Sequence, residues 1–162
     1  MDGIATKRKG DKLMEQALVI IGDNQWNVDV AISSAELAQG LSGLESIPAL
    51  TGMLFDLGTE RTVTVNAYDM LFPISIIFIN EDLIVNDVEL SLSPGEDYTS
   101  FLPCRYFLEV NRGEAANVAA DDTVVINGYP SVPESSIISS MVTMMIVVMM
   151  MKMMMGVMME VK

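Results

Sequence analysis

Histidine is absent from this sequence of 162 residues, and cysteine occurs once, at Cys104. The chain therefore lacks the side chain that most often serves as a general base or as a metal ligand. One cysteine excludes an intrachain disulfide and leaves the redox compartment open. We expect no catalytic residue, no bound metal and no cofactor. The sequence is 51% hydrophobic, however, which is enough for one folded core.

Basic side chains are also scarce, with 9 Lys and Arg against 22 Asp and Glu and a formal net charge of −13. Phosphate neutralisation needs clustered Lys and Arg, so we expect no nucleic-acid partner. Residues 1–13 are interpreted as a flexible arm, because Asp2 and Asp11 dilute its basic residues. The apolar run 17–21 is too short for a secretory signal, and the localisation stays open.

Short apolar runs separated by turn residues fill residues 14–128. Trp26, Val28, Val30 and Ile32 alternate with polar residues after the run 17–21, which predicts a hairpin with one buried face. Residues 74–79 are rich in β-branched residues, as in a central strand covered on both faces. Further strands are predicted at 53–55, 61–65, 83–92, 106–110 and 123–126. This pattern predicts a mainly β fold, a compact antiparallel barrel or sandwich-like domain.

One or two short helices are expected inside this domain. Ser33 and Glu36 have the spacing of a capping box, and Leu37 and Leu41 follow on one helical face. These residues predict a helix over 34–42. Residues 113–119 are predicted to form a second short helix or a turn.

The composition changes abruptly near residue 129. Pro130 and Pro133 mark a linker over 129–136, because proline breaks a preceding element. Residues 137–160 are predicted to form an apolar helix, and the stretch 137–159 holds 11 of the 15 methionines. The predicted interface of this helix consists of Met144, Val148, Met151 and Met155.

Four interpretations of this tail stay open. A helix over 137–159 would span about 34 Å, enough for a bilayer core of about 30 Å, and Lys152 could reach the headgroups. Alternatively, the helix is buried against copies of this chain or in a larger assembly, since methionine fills irregular interfaces. Methionine thioethers also suit Cu(I), although one straight helix supplies few converging ligands. The fourth interpretation is a disordered or aggregation-prone tail.

Several separated motifs occur in an order typical of one known family. They are Ala38-Gln39-Gly40-Leu41, Gly52-Met53-Leu54-Phe55, Leu71-Phe72-Pro73-Ile74-Ser75-Ile76-Ile77-Phe78-Ile79, Tyr106-Phe107-Leu108-Glu109-Val110-Asn111-Arg112-Gly113 and Asp121-Asp122-Thr123-Val124. Over about residues 28–126 the chain resembles the family called domain of unknown function 192. The resemblance implies a small β-rich fold and brings no settled activity. The arm and the tail fall outside it.

Several polar residues of that family are replaced in this chain. The family's aromatic-Trp-Met-Lys-Asn-Thr run is replaced by the stretch 65–70, and its Asp after the proline by Ser75. Ser42 and Leu44 stand where the family has Met and Arg. If those polar residues form a site in the family, this chain has lost it. Our hypothesis is that the fold is kept as a scaffold. Restoring Lys and Asn at Tyr68 and Asp69 should then create ligand affinity, whereas a ligand bound by the present Asp69 would contradict it.

The remaining chemistry-bearing residues form no known motif. Cys104 could be a nucleophile only with a base or a lowered pKa, and only Arg105 is adjacent. The acidic turn near residues 80–89 lacks the spacing of an EF-hand loop and is interpreted as a solvated face.

We expect a non-catalytic structural or interaction protein. Its acidic β domain would be held in an oligomer, in a larger assembly such as a virus particle, or at a membrane by the C-terminal helix. The alternative is a small-molecule-binding protein or an enzyme. Its pocket in the β domain would contain Tyr68, Asp69, Ser75, Cys104 and Arg105.

Overall fold

The structure, a computed structural model, describes residues 14–129 and 145–153. The chain divides into two compact units, Met1–Tyr129 and Pro130–Lys162. In the first unit the elements are β1 (Glu15–Ile21), β2 (Asn24–Ala31), α1 (Ser34–Gln39), β3 (Thr51–Arg61), β4 (Thr64–Asn66), β5 (Ile74–Ile79), β6 (Val85–Leu92), β7 (Asp97–Thr99), β8 (Cys104–Asn111) and β9 (Val124–Asn127).

Seven of these strands form one curled sheet in the order β6-β5-β8-β3-β2-β1-β9, and β4 pairs with β7 separately. A bridge between Ile84 and Thr123 connects the two ends of the large sheet. The Val124 N–H also donates to the Leu83 carbonyl at 2.8 Å. The result is a half-barrel, which confirms the predicted mainly β, barrel-like domain.

One strand pair departs from the antiparallel expectation. Strands β2 and β3 pair in parallel, with Val28 opposite Gly52 and Val30 opposite Leu54. The connection over residues 32–50 contains α1 and is long enough to return the chain to the same end of the sheet, as parallel pairing requires. The sheet is therefore mixed. Strand β3 is also one strand of 11 residues, much longer than the predicted 53–55.

Helix α1 begins as the capping box predicts. The Ser33 Oγ accepts a hydrogen bond from the Glu36 N–H at 3.2 Å, and the Glu36 Oε2 accepts from the Ser33 N–H at 2.9 Å. The helix ends earlier than predicted, at Gly40, where φ is +47°. Glycine adopts a positive φ without the steric cost of a Cβ atom. Residues 112–117 form turns, and a turn is one of the two forms predicted for 113–119.

The concave face of the sheet encloses an inner core to which all seven of its strands contribute. Trp26, Tyr106 and Leu108 are among its fully buried side chains. The Trp26 indole N–H donates to the Glu114 Oε2 at 3.0 Å, which satisfies its one buried donor. The indole N–H of the inner core is therefore paired although it is buried.

The convex face of β3, β8 and β5 carries a second, outer core. It includes Phe55, Ile76 and Phe107 from the sheet and Leu41 and Phe72 from the segments that cover it. Both faces of these strands are covered where they cross the outer core, so residues 53–56 of β3 and 106–110 of β8 are buried on either side. All six residues of β5 are buried, as predicted for a strand covered on both faces.

In the second unit, residues 145–153 are helical. This confirms the predicted C-terminal helix over those residues. The rest of the predicted helix 137–160 and the linker from residue 130 onward lie outside the described residues, as does the arm 1–13.

Candidate functional site

Two of the residues predicted to line a pocket lie in the loop between β4 and β5. The exposed Tyr68 hydroxyl donates to the Asp97 Oδ2 at 2.8 Å, and this hydrogen bond raises the pKa of the phenol. The Asp69 side chain is also exposed. Its backbone carbonyl accepts from the Gly43 N–H at 3.2 Å, which connects this loop to the segment that follows α1.

Ser75 and Cys104 are buried on opposite sides of the sheet. The Ser75 hydroxyl, on the concave side, donates to the Leu90 carbonyl at 2.8 Å and accepts from the Gly113 N–H at 3.1 Å. Cys104 lies in the outer core, where burial raises the pKa of the thiol to about 11. The thiol is therefore protonated at neutral pH, which does not favour a nucleophilic role.

Arg105 belongs to a polar network around Asp56. The Arg105 Nε lies 3.3 Å from the Asp56 Oδ1, and its guanidinium lies 5.0 Å from the centre of the Tyr106 ring. Asp56 also accepts hydrogen bonds from the Tyr129 hydroxyl at 2.9 Å and from the Gly58 N–H at 2.8 Å. The network therefore supplies hydrogen-bond donors to the buried carboxylate of Asp56. Tyr68 and Asp69 are thus neighbours because they are adjacent in the sequence. The structure does not gather all five predicted residues in one pocket.

An open groove of about 430 Å³ lies beside Tyr68. Tyr98 also lines it, and its ring stacks on Phe78 with 5.7 Å between ring centres. The Tyr98 hydroxyl donates to the Asp87 Oδ2 at 2.9 Å, and burial together with this bond raises its pKa to about 12. The complete lining is Tyr68, Glu89, Ser91, Leu92, Gly95, Glu96, Asp97 and Tyr98. Its aromatic rings and carboxylates suit a cationic ligand better than an anionic one.

Glu109 is the titratable residue that the sequence analysis did not select. It lies in the middle of β8 with only 5% of its surface exposed, and burial raises the pKa of its carboxyl group to about 8. Its cross-strand neighbours are Met53 and Ile76, both apolar. A signal for it was available: Tyr106, Phe107, Leu108 and Val110 surround it with apolar residues, the pattern of a strand covered on both faces.

Two of the four predicted interface residues of the tail lie in the described helix. Val148 and Met151 are exposed there, at 50% and 61% of their surfaces. Met144 and Met155 lie outside the described residues. Among the helices that the structure describes, none has both the length and the apolar character needed to span a membrane.

Solved structures share the fold of the first unit. A proposed transcription regulator from Sinorhizobium meliloti 1021 superposes with a TM-score of 0.67 at 24% identity, covering 74% of this chain and 100% of that chain. A protein of unknown function from Novosphingobium aromaticivorans DSM 12444 gives a TM-score of 0.65 at 22% identity, covering 74% of this chain and 89% of that chain. At these identities the likeness concerns the fold. No curated protein matches.

A family model matches most of the first unit. The matching family is DUF192, described as an uncharacterized ACR, and the match covers residues 17–126. It begins earlier than the resemblance near residue 28 and contains every motif on which that resemblance depends. It also contains Glu109 and the strands that enclose it. The chain therefore belongs to the DUF192 family.

Proposed function

We propose that this chain is a non-catalytic interaction protein whose C-terminal helix joins the β domain to copies of itself or to a larger assembly. The observation that carries the proposal is the surface of the helix over residues 145–153. Eight of its nine residues are apolar, Lys152 being the exception, and the side chains of all nine are exposed. A helix that is apolar on every side is stable only when another apolar surface covers it.

The composition of this helix fits a protein interface. Methionine makes up five of the nine residues, and its unbranched side chain adapts to irregular neighbouring surfaces. Burying one such side chain stabilises an interface by about 1.5–3 kcal/mol. Several copies of the helix packed together would therefore offset the entropy lost on association.

A pair of lysines on one face of the helix tests the proposal. In the full chain, Val148→Lys and Met151→Lys place two charges three residues apart and preserve helix propensity. We expect the unchanged chain to form a discrete oligomer without detergent and the double variant to be a monomer. Molar mass from light scattering after size-exclusion chromatography distinguishes the two states.

Val125→Lys provides the matched control, because Val125 is 44% exposed on β9 of the first unit. This variant should keep the mass of the unchanged chain. Equal masses for the double variant and the unchanged chain would contradict the proposal. A full chain that stays dispersed only in detergent would instead support a membrane role for the tail.

The groove beside Tyr68 favours a second candidate function, binding of a small molecule. Two tyrosines and three carboxylates line it, and Tyr68 was predicted as a pocket residue. Titration of the full chain with a panel of metals and metabolites tests this candidate. A stoichiometric ligand whose affinity falls in Tyr68→Ala would support it, and the absence of any such ligand would favour the interaction role alone.

The charge distribution of residues 14–129 does not favour nucleic-acid binding. Residues 14–129 contain 18 Asp and Glu, three Arg and no Lys. Arg105, one of the three, is paired with Asp56. Such a surface repels a phosphate backbone, whose binding depends on neutralisation by basic side chains.

A further inference from the structure

Methionine occupies two environments in the part of the chain that the structure describes. Each methionine of the helix over residues 145–153 has 60–67% of its surface exposed, and these five are Met145, Met149, Met150, Met151 and Met153. Met53 and Met70 lie in the outer core, at 6% and 5% exposure. Met14, the remaining methionine of residues 14–129, packs partly buried against that core. Solvent therefore reaches the methionines of the helix far more readily than those of the β domain.

Exposure decides which of these methionines a peroxide oxidises. The oxidant transfers one oxygen atom to the thioether Sδ, its O–O bond breaks, and it leaves as water or as an alcohol. The sulfur is thereby oxidised and the peroxide reduced, and the product is methionine sulfoxide, which is polar where methionine is apolar. In the outer core this reaction requires the core to open, whereas on the exposed helix it requires no structural change.

We infer that the methionines of residues 145–153 are a reversible oxidation site that controls assembly through the C-terminal helix. Oxidation by a peroxide replaces apolar surface with sulfoxide oxygens, which disfavours burial of the helix against other apolar surfaces. Reduction of the sulfoxides restores the apolar surface. The inference rests on the proposed function, because an oxidised helix releases only an assembly that the reduced helix has formed.

The spacing of the methionines extends this sensitivity to every apolar face of the helix. Residues three or four positions apart are neighbours on a helix surface. Each of the other apolar residues has a methionine at that distance, and the pairs are Ile146 with Met149, Val147 with Met151 and Val148 with Met145. A partner that covers any apolar residue of this helix therefore also covers a thioether, and oxidation changes the contact.

Assembly and oxidation compete for the same side chains. In an assembly held together by the helix these methionines are covered, so the oxidant reacts with the dissociated chain. Each oxidised chain leaves the association equilibrium, and by mass action further chains dissociate. Oxidation of the helix should therefore slow as the chain concentration rises through the dissociation constant, whereas oxidation of Met53 and Met70 should not depend on concentration.

Treatment of the dilute full chain with hydrogen peroxide tests the inference. Peptide mass spectrometry should find sulfoxides at residues 145–153 while Met53 and Met70 remain unoxidised. After removal of the peroxide, sedimentation equilibrium should give a dissociation constant about 100-fold higher than that of the untreated oligomer, because several side chains each lose part of their free energy of burial. Methionine sulfoxide reductases A and B, which act on the two sulfoxide epimers, should together restore the original constant.

Two sets of variants assign the effect to the helix. Leucine is apolar and similar in volume to methionine, but it has no sulfur to oxidise. A quintuple variant should form the oligomer and keep it after peroxide treatment; its changes are Met145→Leu, Met149→Leu, Met150→Leu, Met151→Leu and Met153→Leu. The matched control in the β domain combines Met53→Leu with Met70→Leu. This control should lose its oligomer to peroxide as the unchanged chain does.

Three results would overturn the inference. The first is oxidation of the helix methionines no faster than that of Met53 and Met70 in the dilute chain. The second is an oligomer that keeps its dissociation constant when the methionines of residues 145–153 are fully oxidised. The third is a quintuple variant that peroxide dissociates as readily as the unchanged chain. Failure of the proposed function is separate from these, because it shows as an untreated chain that is a monomer before any oxidant is added.

Discussion

Burial changes the chemistry of two side chains of the outer core in the same direction. It raises the pKa of the Cys104 thiol to about 11 and that of the Glu109 carboxyl group to about 8. In both cases the protein interior disfavours the charged form. The consequences differ, because the thiol becomes inert at neutral pH whereas the carboxyl group titrates close to it.

The first prediction concerns the pH dependence of stability. Glu109 has a folded-state pKa of about 8, above its ordinary value of 4.5. Its stabilising contribution is complete below pH 4.5 and is lost as the pH rises towards 8, by at most about 1.4 kcal/mol per unit. Glu109→Gln stays neutral. The free energy of unfolding of the variant, relative to the unchanged chain, should therefore increase from pH 5 to pH 8.

Urea denaturation at several pH values between 5 and 9 measures this difference. Asp29→Asn, which neutralises a partly exposed carboxylate, should give a curve parallel to that of the unchanged chain over this range. Parallel curves for Glu109→Gln as well would show that Glu109 ionises as an ordinary surface group.

The second prediction concerns the reactivity of Cys104. At pH 8 a thiol with a pKa near 11 is about 100-fold less ionised than one with the ordinary pKa of 9. Alkylation of the native chain by iodoacetamide should be slower by at least this factor than alkylation of the chain unfolded in urea. Mass spectrometry follows both reactions. Similar rates would mean that the outer core opens readily at Cys104.

Glu109 also shows a limit of the sequence, because its apolar neighbours along the strand indicate burial without showing what covers them. The strand at 106–110 was predictable, but an acidic residue in a strand usually faces solvent. Its burial results from the second core on the convex face, which long-range packing of Leu41, Phe72 and Phe107 creates. Tyr68 stays a predicted pocket residue, and its hydrogen-bond partner Asp97 comes from a strand that the sequence pattern did not predict.

At the scale of elements, the sequence was sufficient to predict the features that depend on residues close together in the chain. The capping box fixed the start of α1, and the alternation at Trp26, Val28 and Val30 fixed the face of β2. The parallel pairing of β2 with β3 could not be derived in this way. Alternating apolar residues are the same in parallel and antiparallel pairs, and only the connection over residues 32–50 distinguishes them.

The third prediction tests the start of α1. Ser33→Ala removes the acceptor for the Glu36 N–H and should lower the free energy of unfolding by about 1 kcal/mol. Ser34→Ala changes an exposed serine in the first turn that makes no such bond, and it should leave stability within about 0.5 kcal/mol. Thermal and urea denaturation measure both. An equal loss in the two variants would show that helix propensity, and not the cap, determines the effect.

At the scale of the whole molecule, the sequence separates acidic and apolar surface into different segments. The first unit carries 20 of the 22 Asp and Glu residues, whereas residues 145–153 have no acidic residue. The change in composition near residue 129 was therefore visible in the sequence. The closure of the half-barrel was not, because the bridge between Ile84 and Thr123 joins residues far apart in the chain.

The fourth prediction follows from this separation and concerns salt. If the C-terminal helices of several chains pack together, the acidic domains attached to them repel one another. Screening shortens that repulsion, since the Debye length falls from about 10 Å at 0.1 M salt to about 3 Å at 1 M. Apolar contacts between helices are not weakened by sodium chloride. The dissociation constant of the oligomer should therefore fall several-fold between 50 and 500 mM sodium chloride.

Sedimentation equilibrium of the full chain at several salt concentrations measures this constant. The Val148→Lys and Met151→Lys double variant, whose added charges lie within the proposed interface, should remain a monomer over the lower part of the range. A dissociation constant of the unchanged oligomer that rises with salt would contradict this prediction. It would mean that ion pairs hold the copies together and that the acidic domain, rather than the apolar helix, forms the interface. Screening weakens the attraction between opposite charges just as it weakens the repulsion between like charges.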